Sequence, residues 1–222
     1  MKLTFCLLLT AALGNAQSAG DQFRPVWGQS GNLADITAQL IKYHDLGQYD
    51  YEIRQVTEAA RSYAEERTKR VGKTEKLAAV FDIDETSLSN WDAMADCGFC
   101  SYKIQSKYYS IEHDPAILPV LDLFNYLKAR GVKPFFLTGR PESQRGLTIA
   151  NLKEAGYEGW EDLIMRPPGN TDPARVYKSA HRKEIESKGY LIVLNIGDQA
   201  SDLAGCCAER SFKVPNPFYL LP

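Results

Sequence analysis

Leu77, Ala78, Ala79, Val80 and Phe81 form a short, wholly apolar run that stops on two carboxylates one residue apart, in the order Asp82-Ile83-Asp84-Glu85-Thr86. An apolar run of this length, bounded by charge, reads as a strand. Three more such runs, at residues 133–137, 163–165 and 190–196, alternate with amphipathic helical stretches. That alternation predicts a parallel α/β sheet. Ligands of an open α/β sheet bind beyond the carboxyl ends of its strands, so Asp82 and Asp84 should point toward a crevice. Two charges placed there need a cation or a chemical task. Taken alone, an Asp-x-Asp is equally well an Asx-turn or a solvated strand end, so the weight falls on the other strand ends.

The second run ends in Thr138-Gly139-Arg140, which offers a hydroxyl and backbone N–H groups to an anion. Arg140 could reach that anion or pair with a nearby acid. The fourth run ends in Gly197-Asp198, with Asp202 four residues later. A counter-charge should come from the helical stretch before the fourth run, where Lys178, Arg182, Lys183 and Lys188 compete. In an α/β unit this helix starts at the carboxyl side of the sheet and runs away from it. First-turn Lys178 therefore lies nearest the crevice, with Lys183 about 7.5 Å farther along and on another face. His44, His113 and His181 show no metal-ligand spacing.

Together these motifs resemble the haloacid dehalogenase superfamily, whose D-x-D-x-T corresponds to Asp82, Asp84 and Thr86, whose threonine is Thr138, and whose G-D-x-x-x-D runs from Gly197 to Asp202. The stretches Tyr177 to Arg182, Gly189 to Val193, Gly197 to Leu203 and Phe212 to Pro217 are similar to the class B acid phosphatases of subfamily IIIB, a group that includes plant vegetative storage proteins. The resemblance covers the chain from about Leu77 onward. It implies a HAD-like Rossmannoid α/β fold and hydrolysis of small phosphate monoesters in mild acid through an aspartyl-phosphate. It makes Asp82 the nucleophile, Asp84 the acid that later activates water, and Thr138, Gly139 and Lys178 the substrate-binding groups. It also implies Mg2+ held by the Asp82 carboxylate, the Asp84 backbone carbonyl and the Asp198 carboxylate, with Asp202 one layer behind. A storage or binding protein on the same fold, or phosphotransfer to another alcohol, are the rival readings; the presence of both Asp82 and Asp84 favours the enzyme.

The 222-residue chain as a whole is globular in composition, 44% hydrophobic and 24% charged. A net charge of −2 gives no support to a nucleic-acid polymer as partner. Lys2, an apolar run to Leu13 and Gly14-Asn15-Ala16 predict a signal peptide over residues 1–16, or alternatively 1–19, and export to the periplasm or medium. No later apolar run could span a membrane. Leu33, Ile36, Leu40 and Ile41, then Ile53, Val56, Ala60, Tyr63 and Ala64, recur at helical spacing. They predict two core-packing helices within an N-terminal extension over residues 20–76, preceding a catalytic core over 77–222. A small cap is expected over residues 88–114, where Trp91, Tyr102, Tyr108 and Tyr109 either pack or stack on an aromatic leaving group such as a nucleobase. Cys97, Cys100, Cys206 and Cys207 favour disulfides over free thiols or a zinc site, with the pairing left open.

Overall fold

The structure, a computed structural model, describes residues 32–70, 72, 75–100 and 113–221. The expected signal peptide and Tyr102, Tyr108 and Tyr109 lie outside the described residues. Helix α1 (Leu33–Asp45) starts on Asn32, whose side chain accepts the Asp35 N–H at 2.9 Å. Gly47, at φ +78°, makes the left-handed step into α2 (Gln48–Thr68). Then come β1 (Lys76–Phe81), α3 (Trp91–Asp96), α4 (Leu118–Lys128) and β2 (Lys133–Pro141). The rest is α5 (Arg145–Glu154), β3 (Asp162–Arg166), α6 (Ala174–Ser187), β4 (Tyr190–Gly197), α7 (Ala200–Leu203) and β5 (Arg210–Lys213).

The five strands form one parallel sheet in the order β3-β2-β1-β4-β5. Alternation along β1 divides the core: Ala79 and Phe81 face one side with Phe124, Phe136 and Ile53, while Ala78 and Val80 face the other with Tyr177, Ile185 and Phe135. Helices thus cover both faces, which is why β1 reads as an unbroken apolar run. Chain progression turns outward from β1 to β2 and β3, then returns to β4 on the opposite side of β1. The switch point falls between β1 and β4, where Asp82 and Asp198 leave adjacent strands.

Two details depart from the sequence reading, and two points that it left open are settled. A fifth strand exists at the edge, only four residues long and buried at Phe212 alone. Helix α2 packs as expected, burying Tyr49, Ile53, Ala60 and Ala64, but α1 buries no residue fully; Leu40 and Tyr43 lean on the core while Leu33 is 75% exposed. Trp91 stacks on His44 at 3.7 Å between ring centres and packs beside Phe99 and Phe218, so it serves as packing. The cysteines pair locally, Cys97 with Cys100 and Cys206 with Cys207.

Candidate active site

Asp82 is the first residue beyond β1. Its N–H donates to Ile196 O of β4 at 3.0 Å, which carries the sheet's register into the site. Immediately afterwards the N–H groups of Thr86, Ser87 and Leu88 converge on Ile83 O at 2.8–3.2 Å, with Glu85 at φ +53°. Ser87 Oγ returns to donate to Asp82 O at 2.6 Å. The tight turn brings Asp82 and Asp84 to one cleft and buries the Thr86 hydroxyl behind them, against Asp82 Oδ2.

Glycine at position 197 has a steric cause: a Cβ there would meet Asp202 Cβ and Oδ2 at 2.6 Å. Asp202 folds back on the end of β4, where its Oδ2 accepts the Gln199 N–H at 2.9 Å and its Oδ1 accepts from Lys178 Nζ at 2.6 Å. Lys178, in the first turns of α6 and 4% exposed, also donates to Asp82 Oδ1. The ammonium is thus clamped between two buried carboxylates. Arg182, one turn further along α6 and 1% exposed, donates to the carbonyls of Asp202 (2.6 Å), Cys206 (3.0 Å) and Ala204. It therefore pins the loop behind Asp202 and stays away from the cleft.

Asp198 is held by two amides, with Gln199 Nε2 and Asn216 Nδ2 each donating to its Oδ2 at 2.6 Å. Its Oδ1 accepts from Thr86 Oγ1 at 3.2 Å. Carboxylate oxygens of Asp82, Asp198 and Asp202 lie within 4.8 Å of one another, and all three residues are buried. Burial drives the Asp82 carboxyl well above its usual range; Lys178 opposes this while Asp202, Asp198 and Asp84 reinforce it. Burial, with Asp202 next, pushes Asp198 up to about 7. Burial also works against the charge of Lys178, but Asp202 and Asp82 outweigh it and hold the ammonium above its ordinary value.

This arrangement fits a cation by charge and by donor set. Three buried carboxylates face one ammonium, and both Asp202 oxygens are already engaged by protein donors. Asp82 Oδ2 and Asp198 Oδ1 share a single hydroxyl between them, that of Thr86, at 3.5 and 3.2 Å. Those two oxygens are the ones with capacity to spare for a hard, oxygen-seeking ion.

At the second strand end, Thr138 is fully buried and its Oγ1 accepts the Arg140 N–H at 3.1 Å, while Gly139 lines the cleft. Arg140, left open between anion and acid by the sequence, pairs with acids. Its Nε donates to both Asp84 oxygens at 3.1 Å, and its Nη2 reaches Asp84 Oδ1 at 2.6 Å and Asp114 Oδ2 at 3.2 Å. Asp114, which the sequence did not single out, is pushed up to about 6, chiefly by burial against the pull of Arg140. Asn216 was visible within the Phe212 to Pro217 stretch, but its hold on Asp198 was not; Arg166 and Tyr219 also line the cleft and were not anticipated. The cleft encloses about 260 Å³ and takes in Asp82, Asp84, Lys178, Asp198 and Asp202.

Comparisons with known proteins bear on the family and the fold. The model of HAD superfamily, subfamily IIIB (acid phosphatase) matches residues 29–222, which includes α1 and α2. Acid phosphatase 1 of Solanum lycopersicum is 36% identical over 202 residues, 85% of this chain and 76% of the relative. Vegetative storage protein 2 of Arabidopsis thaliana is 33% identical over 180 residues, 79% of this chain and 67% of the relative. In fold, the chain resembles the class C acid phosphatase from Bacillus anthracis, with a TM-score of 0.67 at 22% identity over 85% of this chain and 86% of that one. A chain whose strand ends gather this carboxylate cluster, and whose sequence matches that model almost end to end, belongs to the HAD superfamily, subfamily IIIB, the acid phosphatases.

Proposed function

We propose that the protein is an exported, magnesium-dependent phosphatase that hydrolyses small phosphate monoesters through a covalent phosphoryl group on Asp82. The observation that carries this reading is the Asp82–Lys178–Asp202 clamp beside Asp198, because it holds a cleft-lining carboxylate in place with one oxygen tied to Lys178 and the other 3.5 Å from the Thr86 hydroxyl. Asp82, Asp198 and the Asp84 backbone carbonyl would hold the ion, with Asp202 fixing Lys178 from behind. Magnesium bound there would polarise the phosphoryl group and offset its charge.

In the first half-reaction an Asp82 carboxylate oxygen attacks phosphorus as the bond to the leaving oxygen breaks, and the Asp84 carboxyl gives that oxygen its proton. In the second, Asp84 takes a proton from water while the water oxygen attacks phosphorus. Inorganic phosphate leaves and the Asp82 carboxylate is restored. Arg140 and Asp114 aim the Asp84 side chain, and Thr138, Gly139 and Lys178 receive the equatorial oxygens. Export is supported by the N-terminal sequence and by two disulfides, which persist in oxidising compartments. Nucleoside monophosphates are one substrate class to test; a small monoester fits a cleft of about 260 Å³.

The test is phosphate release from p-nitrophenyl phosphate and a nucleotide panel, with magnesium, with EDTA, and with Asp82→Asn. Magnesium-dependent turnover lost in the variant is the expected result. No turnover from acidic to neutral pH would move the protein to the storage or binding reading.

A further inference from the structure

We propose that Arg166 forms a second anion subsite, so that the preferred substrates are phosphate monoesters whose leaving group carries another oxyanion, a carboxylate or a second phosphate. This rests on the phosphatase reading above and deepens it by naming a substrate class.

Arg166 is the last residue of β3 and lines the same cleft as Asp82 and Lys178. Its guanidinium is fixed on two sides. Nη1 donates to Asn170 Oδ1 at 2.6 Å and to Asp172 O at 2.9 Å, and the group lies over the Tyr177 ring at 4.5 Å from its centre. Asn170 is itself held, its amide donating to Asp172 Oδ2 at 3.2 Å. The other two cations of the site are each paired with two carboxylates: Lys178 with Asp82 and Asp202, Arg140 with Asp84 and Asp114. Among the described residues, Arg166 makes no ion pair with a carboxylate, and its Nε and Nη2 meet no acceptor.

An oriented guanidinium with its Nε–Nη2 edge unspent is a fork for a planar or tetrahedral oxyanion. Position separates this role from that of the reacting phosphoryl group. Two strand spacings divide β3 from β1, which puts the backbone of Arg166 about 10 Å across the sheet from that of Asp82. That offset suits an anion carried on the far side of a small leaving group. Being half-buried over an aromatic ring, the guanidinium forms its hydrogen bonds at lower solvation cost than a free surface arginine would.

The holoenzyme with magnesium should be assayed on 3-carbamoylphenyl phosphate, its isosteric carboxylate 3-carboxyphenyl phosphate, and 1,3-phenylene bisphosphate. For the wild type, kcat/KM should favour one or both anionic leaving groups over the neutral one by about tenfold or more. A larger gain on the carboxylate or on the bisphosphate identifies which oxyanion the fork prefers. Arg166→Met should bring the ratio close to one, and Arg166→Lys should leave it between the two because charge remains but the fork is lost. The corresponding phosphonates, used as competitive inhibitors of the wild type, give the same ratio without any variant. A wild-type ratio of one or less, or a ratio that survives Arg166→Met, overturns the subsite while leaving the phosphatase reading intact. Failure to hydrolyse any of the three, the neutral ester included, overturns both.

Discussion

Replacing Lys178 by methionine removes the positive charge that Asp82 and Asp202 share while keeping most of the volume of the stem. In the structure the ammonium donates to Asp82 and, at 2.6 Å, to Asp202, and all three residues are under 10% exposed. Breaking a buried pair so that its partner stays charged costs about 3–5 kcal/mol. Here two carboxylates lose their partner, which places the expected loss at the upper end. The sign of the pH dependence follows from Asp82. Burial already raises its folded pKa, and Lys178 is the group that lowers it, so the variant raises it further. A carboxyl raised in the folded state contributes stability below its unfolded pKa and loses that contribution as pH rises through its folded value. The penalty of the variant must therefore grow with pH. Urea unfolding in EDTA, wild type against Lys178→Met, should show a difference of about 4–5 kcal/mol near neutral pH and about half of that or less near pH 4. A difference below about 1 kcal/mol at neutral pH, or one that does not vary with pH, would refute the clamp as described.

The same sign governs the metal-free wild type. Asp114 at about 6, Asp198 at about 7 and Glu85 at about 8 are all raised chiefly by burial, so the melting temperature in EDTA should fall as pH rises through about 6 to 8, with magnesium restoring more of it at the alkaline end. Equal stabilisation by magnesium across that range would contradict the assignment of Asp198. Arg140→Met should lower kcat by about 100-fold with a much smaller change in KM, since it releases the Asp84 side chain from its aim; steady-state kinetics separate the two. Arg182→Met strips three carbonyls of their donor, and hydrogen exchange should report opening of residues 202–207 at a cost of about 2–4 kcal/mol. Protection unchanged in that loop would show that Arg182 does not hold it.

Most of the fold was legible because its signals are local. An apolar run that ends on charge marks both a strand and the direction of its ligand edge, and β1, β2 and β4 all carry that mark. Lys178 was separable from Lys183 because helical rise fixes which turn lies near the crevice. The parts that were not legible depend on long-range pairing or on edges. β5 is four residues with a single buried side chain, too little for a periodic signal. Asp114 meets Arg140 across 26 positions, and Asn216 meets Asp198 across 18, so neither partner is visible from its neighbours in sequence. Amphipathic spacing in α1 suggested burial as strongly as in α2, yet Leu33 and Ile36 face outward, because spacing defines a face without naming what covers it. Asp202 illustrates a middle case: its spacing from Asp198 was plain, but its tie to Lys178 appears only when α6 and α7 are brought together.

Covalent catalysis requires that a phosphoryl group reside on Asp82 during turnover. Rapid acid quench of wild-type protein reacting with p-nitrophenyl phosphate and magnesium, followed by peptide mass spectrometry, measures this directly. The expected result is a phosphoryl mass increment on the peptide carrying Asp82, removed by hydroxylamine and missing from Asp82→Asn. Turnover with no modified peptide, or with the increment on another residue, would contradict it.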